Sequence, residues 1–237
     1  MKSFAFLFIL LMNCFISFSQ NFEINSHILE KEIIRKTKDS IFYIYNDKPF
    51  YEDKNYFVEK YCKGEWGGVV IFTNKLSKEK FIYKSTCPVN IILFNKKYIV
   101  SNTLHHLGMQ STILQIKNPK HLKKKYKNEN LKEMDFSKVS SKASKELLRT
   151  YKYSILGSFV RKNELYFLIT NDKETSIAQI KNKEFKIMQK VCDKKLFSIR
   201  STYYRLKNDK TYIPFSDHNN SGYILISNDE IELFFEK

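Results

Sequence analysis

Apolar residues in this chain gather in short runs that stop at Asn, Asp or Lys. Examples are NIILF at 90–94, KKYIVSN at 96–102, STILQIKN at 111–118, ELYFLITN at 164–171, TSIAQIKN at 175–182, KTYIPFSD at 211–217 and SGYILISN at 221–228. The runs are rich in β-branched and aromatic residues and have polar stops, which predicts strands joined by turns. Continuous apolar cores such as YFLI predict strands covered on both faces rather than half-exposed ones.

The runs also repeat. GGVVIFTN, STILQIKN, TSIAQIKN and SGYILISN end in Asn74, Asn118, Asn182 and Asn228, spaced 44, 64 and 46 residues apart. The long interval holds a lysine-rich stretch, 119–150. A second series, KKYIVSN, ELYFLITN and KTYIPFSD, runs ahead of the first. Turn pairs precede it at Asn95-Lys96, Lys162-Asn163 and Asn208-Asp209, with NIILF, SILGSFV and FSIRSTYYRL before them. Further runs, KFIYKS at 80–85, FKIMQK at 185–190 and IELFFE at 231–236, follow three of the four asparagines. The unit is therefore strand, tight turn, strand, polar loop, strand, turn, strand.

Four-stranded meanders at this interval resemble β-propeller blades. By period and strand pattern alone, residues 66–237 resemble β-propeller-like proteins that bacteria secrete. The resemblance implies an all-β chain, a small propeller-like array of four to five blades; a β-sandwich is the alternative. Segment 26–45 is expected to add a strand to the last blade or to hold an irregular blade. The stretch SKVSSKASKELLRT (137–150) reads as a helix docked by Leu147 and Leu148, so 119–150 is expected to be a basic, partly helical insertion.

The N-terminus sets the compartment. Lys2, an apolar stretch from Phe4 to Phe18, and small residues at Ser17 and Ser19 form a secretory signal over 1–19. The mature domain is then 20–237, with no transmembrane helix and an exported location. Lipid attachment at Cys14 is the minor alternative. Cys62, Cys87 and Cys192 remain after cleavage. Either Cys62 and Cys87 bridge the base of a hairpin, or all three cysteines are reduced and buried.

Formal net charge is +16, which suggests an anionic glycan or envelope component as partner; another envelope protein is a further possibility. The one lysine cluster, KNPKHLKKKYK, offers Lys117, Lys120, Lys123, Lys124, Lys125 and Lys127 as an anionic contact; otherwise it is a solvated loop. Export and the lack of a recognition-helix or zinc-finger pattern argue against nucleic acid. Without a phosphate loop or dinucleotide fingerprint, no cofactor is expected.

Equivalent loops between second and third strands should share one face. That face would gather Asn102, His105, His106, Asp172, Asp217, His218 and Asn219. His105, His218 and Asp217 could hold a metal, although no tight ligand spacing accompanies them. Asp172 and Asp217 are the only carboxylates placed there, so a hydrolase is the second reading behind a binding module. The bland alternative is that the Asn and Asp residues form turns. The single tryptophan, Trp66 in GEWGG, reads as a packing plug rather than a sugar platform.

Overall fold

The computed structural model describes residues 22–45, 48–104, 109–125, 130–131, 133–136, 139, 143–198, 204–205, 210–216 and 221–237. The chain is all-β, with four sheets and, among the described residues, a single α-helix, α1 (Lys31–Tyr45). The first sheet is ordered β2 (Tyr51–Glu52), β3 (Tyr56–Cys62), β4 (Gly68–Asn74), β5 (Lys80–Lys84), β9 (Lys123–Lys125). The second is ordered β10 (Ser144–Thr150), β8 (Gln110–Ile116), β7 (Lys97–Leu104), β6 (Pro88–Phe94). The third is a plain meander, β11 (Ser154–Arg161), β12 (Glu164–Thr170), β13 (Thr175–Lys181), β14 (Glu184–Cys192). The fourth is ordered β1 (Glu23–Leu29), β19 (Glu230–Glu236), β18 (Ser221–Ser227), β17 (Thr211–Ser216), β15 (Phe197–Ser198), and β16 (Tyr204–Arg205) also pairs with β17.

Local chemistry accounts for the hairpins. Asn95 and Lys96, Lys162 and Asn163, and Asn182 and Lys183 all have positive φ. That is the geometry of two-residue hairpin turns whose twist matches the strands, and asparagine tolerates it best among ordinary residues. Asn74 ends its strand differently: its Oδ1 accepts from the backbone N–H groups of Leu76 and Ser77, at 3.0 and 2.8 Å. Asn118 does the same for Lys120 N–H, capping a short 3-10 turn. Asn208 and Asp209 lie outside the described residues. In GEWGG, a Cβ on Gly68 would lie 2.4 Å from Tyr61 O, so the backbones of β3 and β4 need glycine there.

The sheets pack face to face in chain order. One cluster joins the first and second through Val58, Phe72, Tyr83, Tyr98, Val100 and Ile116. A second joins the second and third through Ile99, Ile113, Leu148, Ile155, Phe167 and Ile169. A third joins the third and fourth through Leu156, Tyr166, Leu168, Ile213, Phe215 and Leu233. Strands β7, β11 and β12 are thereby buried at nearly every position, which is why their runs are mostly apolar, while the edge strands β10 and β14 stay largely exposed or half-exposed. The far face of the first sheet is covered by Leu131, Met134, Phe136 and Val139. The far face of the fourth is covered by Ile34 and Ile41 of α1, over Tyr212, Tyr223 and Phe234. Among the described residues no core cluster is shared by the first and fourth sheets.

Two sequence expectations change. Residues 144–150 form β10, not a helix, and occupy the edge of the second sheet beside β8. Of 137–143 only Val139 and Ala143 are described. Leu148, buried against the third sheet, outweighs the helix propensity of KELLR. The N-terminal segment does add a strand to the last sheet, since β1 pairs in parallel with β19, but 31–45 is helical.

The start of β1 is held by a plug. Phe22 is 3% exposed between the third and fourth sheets. Gln189 binds its backbone from both sides, accepting from Phe22 N–H at 2.7 Å and donating to its carbonyl at 2.9 Å. The Arg161 guanidinium lies 4.1 Å over the ring and pairs with Asp229. That pairing holds the Asp229 carboxyl below the usual carboxylate range.

Cys62 and Cys87 are joined by a disulfide, with Cα atoms 5.0 Å apart, as the hairpin-base reading expects. Cys192 is the free cysteine among the described residues, and burial pushes its thiol up.

Two outcomes follow. Phe22→Ala should lower unfolding free energy by about 3–5 kcal/mol in denaturant titration, because it empties a buried aromatic site. Reducing the disulfide, which closes a 25-residue separation, should cost about 3 kcal/mol in the same assay.

Candidate functional site

Each seam between sheets is pinned by polar bonds as well as apolar packing. Between the second and third sheets, Asn90 Nδ2 donates to Ser158 Oγ at 2.8 Å and to its carbonyl at 3.1 Å. Thr103 Oγ1 accepts from Ile155 N–H at 2.8 Å. Between the first and second, Tyr98 O–H donates to Asp53 Oδ2 at 2.7 Å, and Ser85 Oγ donates to Asn102 Oδ1. Burial, then the bond to the Asp53 carboxylate, raises the Tyr98 pKa. Together with the Cys62–Cys87 bond, these bonds bring the Cys62 end of β3, the Leu104 end of β7 and the Ser154 end of β11 to the same end of the array.

At that end the seam between the first and second sheets opens into a groove of about 450 Å³. Its wall is the face of the second sheet that looks toward the first. Deep in the seam this face presents Tyr98, Val100 and Ile116, all buried. Toward the mouth the same alternating positions become Asn102 and Leu104 on β7, and Thr112 and Gln110 on β8. Glu146 and Arg149 of β10 continue the row after a register shift between Glu146 and Leu148. The opposite side carries Tyr83, whose hydroxyl lies 2.5 Å from Ser144 Oγ. Burial pushes the Tyr83 phenol up.

Hydrogen-bond direction in the groove is partly fixed. Asn102 is 2% exposed. Its carbonyl takes the Ser85 proton, and its Nδ2 donates to Thr112 Oγ1 at 3.1 Å. Thr112 is thus an acceptor in that bond and keeps its own proton to give. Arg149 grips Glu146 through Nε, 3.2 Å from both oxygens, and through a second nitrogen at 2.5 Å. The bond to Glu146 raises the Arg149 pKa above its ordinary value. Gln110 is half-buried, and its side-chain amide has no protein partner among the described residues.

The expected loop-face cluster fares unevenly. Asn102 lines the groove, but as a buried strand residue instead of a loop residue. Asp172 does not line it; it is exposed in the turn after β12 and ion-paired with Lys195. Its neighbour Asn171 accepts from the N–H groups of Lys173 and Glu174 at 2.8 and 2.9 Å, a turn-forming role. His105, His106, Asp217, His218 and Asn219 lie outside the described residues.

The lysine cluster also divides. Lys123, Lys124 and Lys125 form edge strand β9, with Lys124 paired to Glu79 at 2.6 Å, so this part is not a solvated loop. Charged residues on an edge strand discourage pairing with another chain. Lys117 and Lys120 are exposed before it, and Lys127 is outside the described residues.

Trp66 overturns its sequence reading. It is 78% exposed, on the β3–β4 connection, so it does not plug the packing. Sequence reasoning also missed Gln110, Thr112, Glu146 and Arg149. Their signal was the switch from apolar to polar at alternate positions of one strand face.

No helix among the described residues is long and apolar enough to cross a membrane. No family model matches the chain, and no curated protein or solved structure is significantly similar to it.

Further into the same seam stands Lys60 on β3, beside Val70, which in turn neighbours Tyr83. Its ammonium donates to Pro88 O at 3.3 Å and lies 4.4 Å over the Phe50 ring. Burial pushes its pKa down to about 8. Between about pH 8 and 10.5 the unfolded chain therefore holds a proton that folded Lys60 has released. Stability gains from this group as pH rises through that window. In paired denaturant titrations at pH 7 and 10, Lys60→Met should lose this gain and be the more stable protein at pH 7.

Proposed function

We propose that this chain is an exported binding module whose partner is polysaccharide or anionic material outside the cell. The groove beside β10 carries the reading. It offers hydroxyl, amide, guanidinium and carboxylate groups along one strand face, which suits recognition. Its one carboxylate, Glu146, is held by Arg149. Glycan hydrolysis by two carboxylates needs a second acid across the bond, and the lining of the groove supplies none among the described residues.

Export is supported by the Cys62–Cys87 bond, since structural disulfides persist in oxidising compartments. The net charge of +16 favours approach to an acidic surface. We further read the four sheets as blades of a small propeller-like array. In support, the sheets follow one another face to face, and the N-terminal strand completes the last. The outer faces are covered by α1 and by Leu131, Met134, Phe136 and Val139, so the array is read as an open run of blades with two ends, not as a closed ring.

The test is retention of the mature protein on immobilised acidic and neutral polysaccharides at low and high salt. A second protein would carry glutamine in place of Lys117, Lys120, Lys123, Lys124, Lys125 and Lys127. Retention on acidic polymer should fall with salt and in the variant. Unchanged, salt-insensitive retention would remove the charge contribution. Release of new reducing ends from the bound polymer would replace the module by a hydrolase.

A further inference from the structure

We infer that the groove between the first and second sheets binds a saccharide that carries a carboxylate, with Lys84 and Arg149 as the cations that receive the acid group. This rests on the binding-module reading and narrows it: of polysaccharide and anionic partners, the groove takes a ligand that is both.

Strand register lays the second-sheet wall out in rows. The outermost row is Leu104 beside Gln110. Next comes Asn102, Thr112 and Arg149, running across β7, β8 and β10. Deeper still is Leu114 beside Glu146. Lys84, the exposed last residue of β5, lines the groove from the first sheet.

Among the described residues, the charged groups lining the groove are Lys84, Arg149 and Glu146. Arg149 is gripped by Glu146 through a forked contact. Lys84 has no ion pair among the described residues, so the groove keeps one positive charge in excess. Glu146 lies a row deeper than Arg149, and an acid entering from the mouth meets the guanidinium first. A guanidinium has more N–H donors than the contact with Glu146 uses. Hydrogen bonds between ionised partners are the stronger ones, so a carboxylate gains more here than a hydroxyl does. A cationic ligand would face the excess charge.

The uncharged groups call for hydroxyls as well. Thr112 keeps a proton to give, because its oxygen accepts from Asn102. Gln110 offers a carbonyl and an NH₂ without a protein partner among the described residues. Its carbonyl needs a donor, and a sulfate or a simple carboxylate ion can only accept. A sugar hydroxyl both donates and accepts. Leu104 and Leu114 add apolar surface for the C–H face of a ring. A groove of about 450 Å³ is of the size that small ligands occupy. A sugar acid brings the carboxylate, the hydroxyls and the C–H face together in one molecule.

Calorimetry on the mature protein would compare trisaccharides of galacturonate, glucuronate and mannuronate, the matching neutral trisaccharides, and inorganic sulfate, at about 0.1 and 0.5 M salt. The variants are Lys84→Gln, Gln110→Ala, and the protein with glutamine at the six clustered lysines, each melted first to establish that it folds. At least one triuronate should bind, more weakly at high salt, and about tenfold or more tighter than its neutral counterpart or sulfate. Lys84→Gln and Gln110→Ala should each weaken it about tenfold, and the six-lysine variant should lose less than Lys84→Gln. Equal binding of the neutral trisaccharide overturns the inference on the acid, and equal binding of sulfate overturns it on the sugar. Unchanged affinity in either single variant overturns it on the site. A larger loss in the six-lysine variant moves the acid contact to the lysine cluster and overturns the inference while leaving a binding module. If no triuronate binds, the inference fails. If the immobilised polymers are not retained either, the binding-module reading falls with it.

Discussion

A four-stranded sheet has two faces to hide, and neither can be hidden by the sheet itself. That requirement organises this molecule. The second and third sheets pack both faces against neighbours, and β6, β7, β11 and β12 are buried at odd and even positions alike. Each buried Ile, Leu or Phe contributes about 1.5–3 kcal/mol, but burial is non-directional and would let the sheets slide. The Asn90–Ser158 and Thr103–Ile155 bonds remove that freedom, because a slipped sheet would leave these groups buried without partners. Packing supplies the cohesion, and a few hydrogen bonds supply the alignment on which any site spanning two sheets depends.

A stack of sheets has two ends, and each end exposes an apolar face unless something covers it. At the fourth sheet the cover is α1, which turns Ile34 and Ile41 onto Tyr212, Tyr223 and Phe234. At the first sheet it is Leu131, Met134, Phe136 and Val139, which lie in sequence between β9 and β10 and meet Val69, Ile71 and Ile82. The long interval in the repeat thus has a physical purpose. Its described residues include the cover of that exposed face and β10, the fourth strand of the second sheet. Both covers come from segments that break the repeat, as end pieces must.

Much of the fold was legible because strand and turn chemistry is local. Runs such as ELYFLIT and TSIAQIK declare themselves, and the Asn and Lys turn pairs sit where positive φ is needed. What failed is equally instructive. KELLRT carries good helix formers, so residue preference favoured a helix; the vacant place beside β8 and the pocket for Leu148 favoured a strand and won. The repeat itself demanded a fourth strand there, and that demand was the better guide. In 31–45, IFYIY resembles a strand, while Ile34 and Ile41, seven apart, mark one side of two helical turns. Trp66 was misjudged because a glycine-rich setting is compatible with both a buried and an exposed ring.

The groove was illegible for a different reason. Its wall is drawn from β7, β8 and β10, so no window of sequence contains it. The trace it leaves is a change of character along a single face. On β7 the face runs Tyr98, Val100, Asn102; on β8, reading toward the same end, it runs Ile116, Leu114, Thr112, Gln110. Twisted sheets in contact at one end separate toward the other, and side chains that cannot fill the widening gap must be able to face water. Polar residues at inward positions of a buried strand therefore mark where two sheets part company. Asn102 shows the transition in one residue: its side chain is satisfied by Ser85 behind and Thr112 beside it, and one step further out, at Leu104 and Gln110, the two strands line the open end of the gap.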